Sequence, residues 1–244
     1  MPESEHPAHR RVREAALRKG VEIEIVTFPE STHTALDAWA FDWDGTLIDS
    51  FARTMATYRD LFTHFGLAFD ETEFRAHYAP DWRRIYRRVG LEEARWPEAD
   101  RLWVSIYETE VAQLVEGAAE AIAGLRSAGI RTALVTAGHR ARVELEMRAN
   151  GLSDAFDTAI FGDEVPHQKP DPAPLQLAAR YLRLKPNEIV FIGDAMDDMT
   201  MARRADATAI GVLTGAAERG RLRKAGAHWV AETVPVVVSA SGRV

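Results

Sequence analysis

Short apolar runs alternate with amphipathic stretches along most of this chain, and that rhythm admits few folds. "AWAFDWD" reads as a strand, as do "IRTALVTAG", "FDTAIFG", "NEIVFIGD", "ATAIGVLTG" and "AHWVAE". Helical spacing fills the gaps. Residues 117–129 end at Gly129, residues 139–151 close on Asn150 and Gly151, and "PAPLQLAARYLRL" carries proline in its first turn. "DDMTMARRAD" and "AAERGRLRKAG" continue the pattern. Strands and helices in such regular alternation imply a parallel sheet covered on both faces. The rhythm breaks once: residues 51–114 read as helices only, directly after the first strand. An insertion there lies close to the sheet's active edge.

At 244 residues the chain suits one large domain, or a core with a smaller partner, at about 100–200 residues per domain. A net charge of −7 argues against a general nucleic-acid binder. No cysteine is present, which excludes disulfides and thiolate chemistry and fits a cytoplasmic location. No apolar run is long enough to span a bilayer, and the polar N-terminal stretch is unlike a secretion signal. Residues 1–36 read as a separate arm of unknown role: a basic helix "HRRVREAALRKG" and a strand "VEIEIVTF" closed by Pro29. The string "ALRKGVEIEIVTFPESTHTALDA" resembles the opening of the editing-domain family that strips wrong amino acids from transfer RNA. The rest of such a domain is missing, and an appended arm is the expectation.

In open parallel sheets, ligands bind beyond the carboxyl ends of the strands. Four polar clusters fall at or near such ends: Asp42 and Asp44; Thr136, Ala137 and Gly138; Lys169 in "HQKPDP"; and "GDAMDD" at 193–198. Two carboxylates two residues apart raise each other's pKa and cost stability unless something positive sits between them.

"DWDGTLIDS", "VTAG", "HQKPDP" and "IGDAMDD", in this order, resemble the four motifs of the haloacid dehalogenase-like hydrolase superfamily, specifically its helical-cap phosphatase branch. The resemblance covers about residues 36–235. It implies an α/β fold with a Rossmann-like core at 37–50 and 115–244 and a cap at 51–114. It also implies a Mg²⁺-dependent phosphatase of a small phosphorylated metabolite, phosphoglycolate phosphatase-like and monomeric or homodimeric. Asp42 is then the nucleophile that becomes an aspartyl phosphate. Asp44 is the proton donor and later the base, at a position where the branch that breaks carbon–halogen bonds carries no acid. Asp42 and Asp194 by side chain and Asp44 by carbonyl hold the metal, with Asp198 behind through water. Thr136, the Ala137 N–H, Gly45 and Lys169 receive phosphoryl oxygens. Ala137 departs from the Asn that relatives often carry.

In the cap, "DWRRIYRRVG" places Trp82, Ile85, Tyr86 and Val89 on one helical face and four arginines on the other. Most of those arginines read as a solvated face, with Arg83 or Arg84 as the candidate to clamp a second anion on the substrate. The cap holds no lysine, which counts against phosphonate hydrolases, whose relatives form a Schiff base there. Two other readings stand beside the phosphatase. One is a sugar phosphomutase of the same superfamily; the other is a non-catalytic phosphate- and metal-binding regulatory protein.

Overall fold

A computed structural model of the chain describes residues 37–77, 82–107 and 112–241. The N-terminal arm, with its expected helix and strand and its editing-domain resemblance, lies outside the described residues. Six strands form one sheet: β1 (Ala38–Phe41), β2 (Arg131–Val135), β3 (Thr158–Ile160), β4 (Ile189–Gly193), β5 (Thr208–Val212) and β6 (Trp229–Ala231). Every pairing is parallel, and the order is β3-β2-β1-β4-β5-β6. This is the doubly wound arrangement expected from the sequence, with strand order reversing beside β1.

Each residue of β1 and β4 is buried, so both faces of the sheet need cover. Alternation divides the labour. Trp39 and Phe41 of β1 and Val190 and Ile192 of β4 point into one apolar layer, built with α5 (Ala118–Ser127), α6 (Arg140–Ala149) and α10 (Val234–Ala240). Ala38 and Ala40, with Ile189 and Phe191, point into the other. That layer is completed by α7 (Ala173–Leu182), α8 (Met196–Arg204) and α9 (Arg219–Lys224). Helix α10 has no counterpart in the sequence reading. Its "VPVVV" is a β-branched run with low helix propensity, and burial of Val234, Val237 and Val238 against the sheet overrides that preference.

The expected helical insertion is present as α1 (Phe51–His64), α2 (Glu71–His77), α3 (Trp82–Val89) and α4 (Trp96–Tyr107). It has an apolar cluster of its own, centred on Tyr58, Leu61, Phe62, Phe74, Ile85 and Tyr86. In α3, Ile85 and Tyr86 are buried while Arg83, Arg84, Arg87 and Arg88 are exposed, as the helical spacing predicts. The segments leaving and re-entering the core run side by side, bridged at Ile48 and Leu114. Asp49 N–H donates to the Gln113 carbonyl at 2.9 Å, and Val115 N–H to the Leu47 carbonyl at 2.8 Å. None of the described helices is long and apolar enough to cross a membrane.

Candidate active site

The reversal of strand order decides where the chemistry gathers. Strands β1 and β4 are neighbours in register, Phe41 opposite Ile192, so the residues following them emerge together. Asp42 stays tied to the sheet, its N–H donating to the Ile192 carbonyl at 2.9 Å. Asp194 follows β4, and Asp198 sits one turn later in α8. Asp42, Asp194 and Asp198 are all buried, each offering a carboxylate oxygen within 4.8 Å of the others. Lys169 Nζ lies 2.7 Å from Asp42 and 2.7 Å from Asp198. Three of the four polar clusters, from distant parts of the chain, thus meet at one edge of the sheet.

Burial penalises charge here. It pushes the Asp42 carboxyl up to about 7, with Lys169 pulling the other way. Burial likewise raises Asp194 well above the carboxylate range, and the charges of Asp198 and Asp42 add to it. At Lys169 the carboxylates of Asp198 and Asp42 outweigh burial, so the ammonium holds its proton more tightly than in water. Ionised together, the three buried carboxylates would outnumber the one ammonium they face, which is why burial holds protons on Asp42 and Asp194 and why a cation would release those protons. Their ligand set is all oxygen, which suits a hard divalent cation such as Mg²⁺.

The loop after β1 is drawn tightly around Asp194. Gly45 has φ +73°, and a Cβ there would lie 2.7 Å from Asp194 Oδ2, so neither the backbone nor the space admits a side chain. Thr46 donates from its hydroxyl to Asp194 Oδ1 at 3.3 Å, and Ala216 N–H donates to Oδ2 at 3.1 Å. Thr136 follows β2, is buried, and accepts from Gly138 N–H at 2.9 Å, which leaves its own hydroxyl proton to donate. Thr136 and Ala137 line the same cavity as Asp42, Asp44 and Asp194.

Two side chains that sequence reasoning missed complete the site. Arg142 of α6 grips Asp44 with both terminal nitrogens, Nη1 to Oδ1 at 3.0 Å and Nη2 to Oδ2 at 2.5 Å. Arg142 also donates to Glu146 at 3.0 Å, and Trp43 Nε1 donates to the same Glu146 oxygen at 2.7 Å. Burial raises the Glu146 carboxyl against the pull of Arg142. Trp43, Glu146 and Arg142 therefore form a buried brace behind Asp44. The one sequence signal for it is the i, i+4 spacing of Arg142 and Glu146 on one helix.

The structure does not bring the two cap arginines to this centre. Arg84 is half-exposed and pairs with Asp197 at the start of α8 at 2.7 Å, joining the insertion to the core. Arg83 lies over the Trp82 ring at 5.2 Å and lines an outer groove.

Comparison with known proteins places this geometry. A family model described as haloacid dehalogenase-like hydrolase matches residues 40–212. The pyrophosphatase PpaX of Bacillus velezensis is 28% identical over 189 residues, 74% of this chain and 85% of that protein. The phosphoglycolate phosphatase of Chromobacterium violaceum is 28% identical over 199 residues, 77% of this chain and 89% of that protein. Among solved structures, a hydrolase from Pseudomonas syringae aligns with a TM-score of 0.74 at 25% identity, covering 81% of this chain and 94% of the other.

Proposed function

The chain belongs to the haloacid dehalogenase-like hydrolase family, and from that membership we propose that it is a Mg²⁺-dependent phosphatase of small phosphomonoesters working through an aspartyl phosphate on Asp42. The observation that carries this reading is the meeting of Asp42, Asp194 and Asp198 within 4.8 Å, with Lys169 beside Asp42. Relatives named as a phosphoglycolate phosphatase and a pyrophosphatase support phosphoric esters as the substrate class.

Asp42 and Asp194 by side chain and Asp44 by its carbonyl would hold the metal, with Asp198 behind. Bound there, the cation neutralises charge so that a carboxylate and a phosphoryl group can approach. An oxygen of Asp42 attacks phosphorus as the bond to the alcohol oxygen breaks, and Asp44 delivers a proton to that oxygen. Asp44 then takes a proton from the water that attacks the aspartyl phosphate, releasing phosphate and regenerating Asp42. The Thr136 hydroxyl and the Ala137 and Gly45 N–H groups receive phosphoryl oxygens, and Lys169 neutralises charge as it shifts. Residues 51–114 act as a cap closing over the site, with the bridged segments at 47–49 and 113–115 as its attachment and the Arg84–Asp197 pair as a clasp.

The test is phosphate release from p-nitrophenyl phosphate and a panel of phosphorylated metabolites. Release with Mg²⁺, silence with EDTA and recovery on adding Mg²⁺ back are the expected results. No turnover of any ester sinks the reading, and isomerised hexose phosphate without free phosphate replaces it with a mutase.

Arg142 enters this mechanism as a positioning residue: its two contacts fix where the Asp44 carboxylate points, and one of them has to open for that oxygen to carry the proton it delivers. Arg142→Ala is expected to lower kcat/KM for an alkyl phosphate by about 10²-fold, within the range of acid–base catalysis, and for p-nitrophenyl phosphate by far less. The nitrophenolate departs without a proton, and kcat/KM covers only the steps up to that departure. Equal losses on both esters would show that Arg142 merely supports the fold.

A further inference from the structure

The reaction centre opens into a cavity of about 140 Å³, floored by Asp42, Asp44 and Thr136 and roofed by the helical insertion. The roof is aromatic. Tyr58 of α1, Trp82 and Tyr86 of α3 and Trp103 of α4 all line it. The Tyr58 ring lies 5.9 Å from Trp103 at 54° and 6.5 Å from Tyr86 at 75°; Tyr58 and Tyr86 are themselves buried and back the wall, while Trp82 and Trp103 keep accessible surface. Among the described residues, the one ionisable acid or base that the insertion adds to this cavity, apart from its tyrosine hydroxyls, is Asp100. Asp100 lies close enough to Tyr86 for its charge to help burial raise that hydroxyl's pKa, which places the carboxylate beside the aromatic wall.

The cations near the cavity are already engaged or elsewhere. Among the described residues Arg142 is the one arginine or lysine lining it, and Asp44 and Glu146 hold its guanidinium at 2.5–3.0 Å. Arg83 and Arg101 line the adjoining outer groove, which shares Trp82 and Asp100 with the cavity, and neither lines the cavity itself. A second anion on an alcohol small enough to stay inside the cavity, such as the carboxylate of phosphoglycolate, would face Asp100 and the indole rings, with Arg83 and Arg101 outside it. Ring faces are negative and attract cations, and an aromatic cage with a carboxylate is the usual recognition device for alkylated ammonium groups.

We infer that the preferred substrate is a phosphomonoester of an amino alcohol, its ammonium group seated against Trp82 and Trp103 beside Asp100, with Tyr58 and Tyr86 backing them. The inference rests on the phosphatase reading and names the substrate class of that same site. Phosphate transfer proceeds as above, and the alcohol leaves with its positive charge unchanged.

Three esters test it: phosphocholine, its neutral isostere 3,3-dimethylbutyl phosphate, and phosphoglycolate, with p-nitrophenyl phosphate as a check on chemistry. The expected kcat/KM for phosphocholine exceeds that of the isostere by at least about tenfold, in line with a desolvated cation–π contact, and exceeds phosphoglycolate by more. Asp100→Asn is expected to narrow the ratio between phosphocholine and the isostere, whereas a purely structural role would lower both alike. A ratio near one in the unaltered protein, or phosphoglycolate as the best ester, overturns the amino-alcohol assignment while leaving the phosphatase standing. Silence on every ester, p-nitrophenyl phosphate included, removes the phosphatase reading and this inference with it.

Discussion

Asp42→Asn is expected to lower turnover by about 10⁴-fold or more while the protein stays folded, a loss of the size seen when a nucleophile is removed. An amide matches the carboxylate in shape but does not attack phosphorus. The substitution also removes one of the three oxygen donors assembled for the metal. Folding should not suffer. Burial already disfavours the Asp42 charge enough to hold its proton up to about 7, and the negative charge of Asp198 adds to the strain. A neutral Asn relieves that repulsion, and Lys169 keeps Asp198 at 2.7 Å. The metal-free variant should therefore melt at or above the temperature of the unaltered protein. Circular dichroism and phosphate release, measured on one preparation, separate the two effects. Activity within about tenfold of the original would remove Asp42 from the role of nucleophile.

Much of this site was readable because its parts follow buried strands. A parallel strand covered on both faces leaves an uninterrupted apolar run, so Asp42 after "AWAF" and Asp194 after "IVFIG" stand out as charges where the apolar pattern stops. The spacing of Asp198 from Asp194 is local, and so is the helical spacing that predicted the buried face of α3. What was not readable depends on long-range partnership. Arg142 looks like one arginine among three in "HRARVELEMRANG", and its partner Asp44 lies 98 residues away. Arg84 looked available for substrate, but Asp197, 113 residues away, neutralises it. The aromatic roof was hidden for the opposite reason. Tyr58 and Trp103 have the spacing of ordinary helix-core residues, and they do pack in the cluster of the insertion. That they also face the reaction centre follows from how the insertion sits on the core, which no local pattern encodes.

Lys169→Met puts the electrostatics of the cluster to the sharpest test. The methionine keeps an apolar stem in a site where Lys169 is almost fully buried, but it removes the ammonium from among three carboxylates. Breaking a buried ion pair from one side costs about 3–5 kcal/mol. That cost should depend on pH in a definite direction. The carboxyls of Asp42 and Asp194 are raised by burial in the folded state, above the 3.8 of a free aspartate. Between about pH 4 and pH 7 the folded protein thus binds more protons at these groups than the unfolded chain does, so the stability they contribute is complete at low pH and is lost as pH rises through their folded values. Without Lys169 the cluster loses its ammonium and keeps only neutral donors to Asp194, the Thr46 hydroxyl and the Ala216 N–H, among the described contacts, so the deficit of the variant should be small near pH 5 and largest near pH 8. Mg²⁺ should recover much of the stability at pH 8, because a divalent cation neutralises the same carboxylates. It should not recover the rate, which is expected to stay about 10²–10³-fold down, the usual loss when a charge-stabilising donor is removed at a reacting centre. Thermal melts across this pH range, with and without Mg²⁺, read the stability arm, and phosphate release reads the rate. A deficit independent of pH, or full turnover once Mg²⁺ is added, would show that the ammonium is a structural filler and that the negative cluster is balanced in some other way.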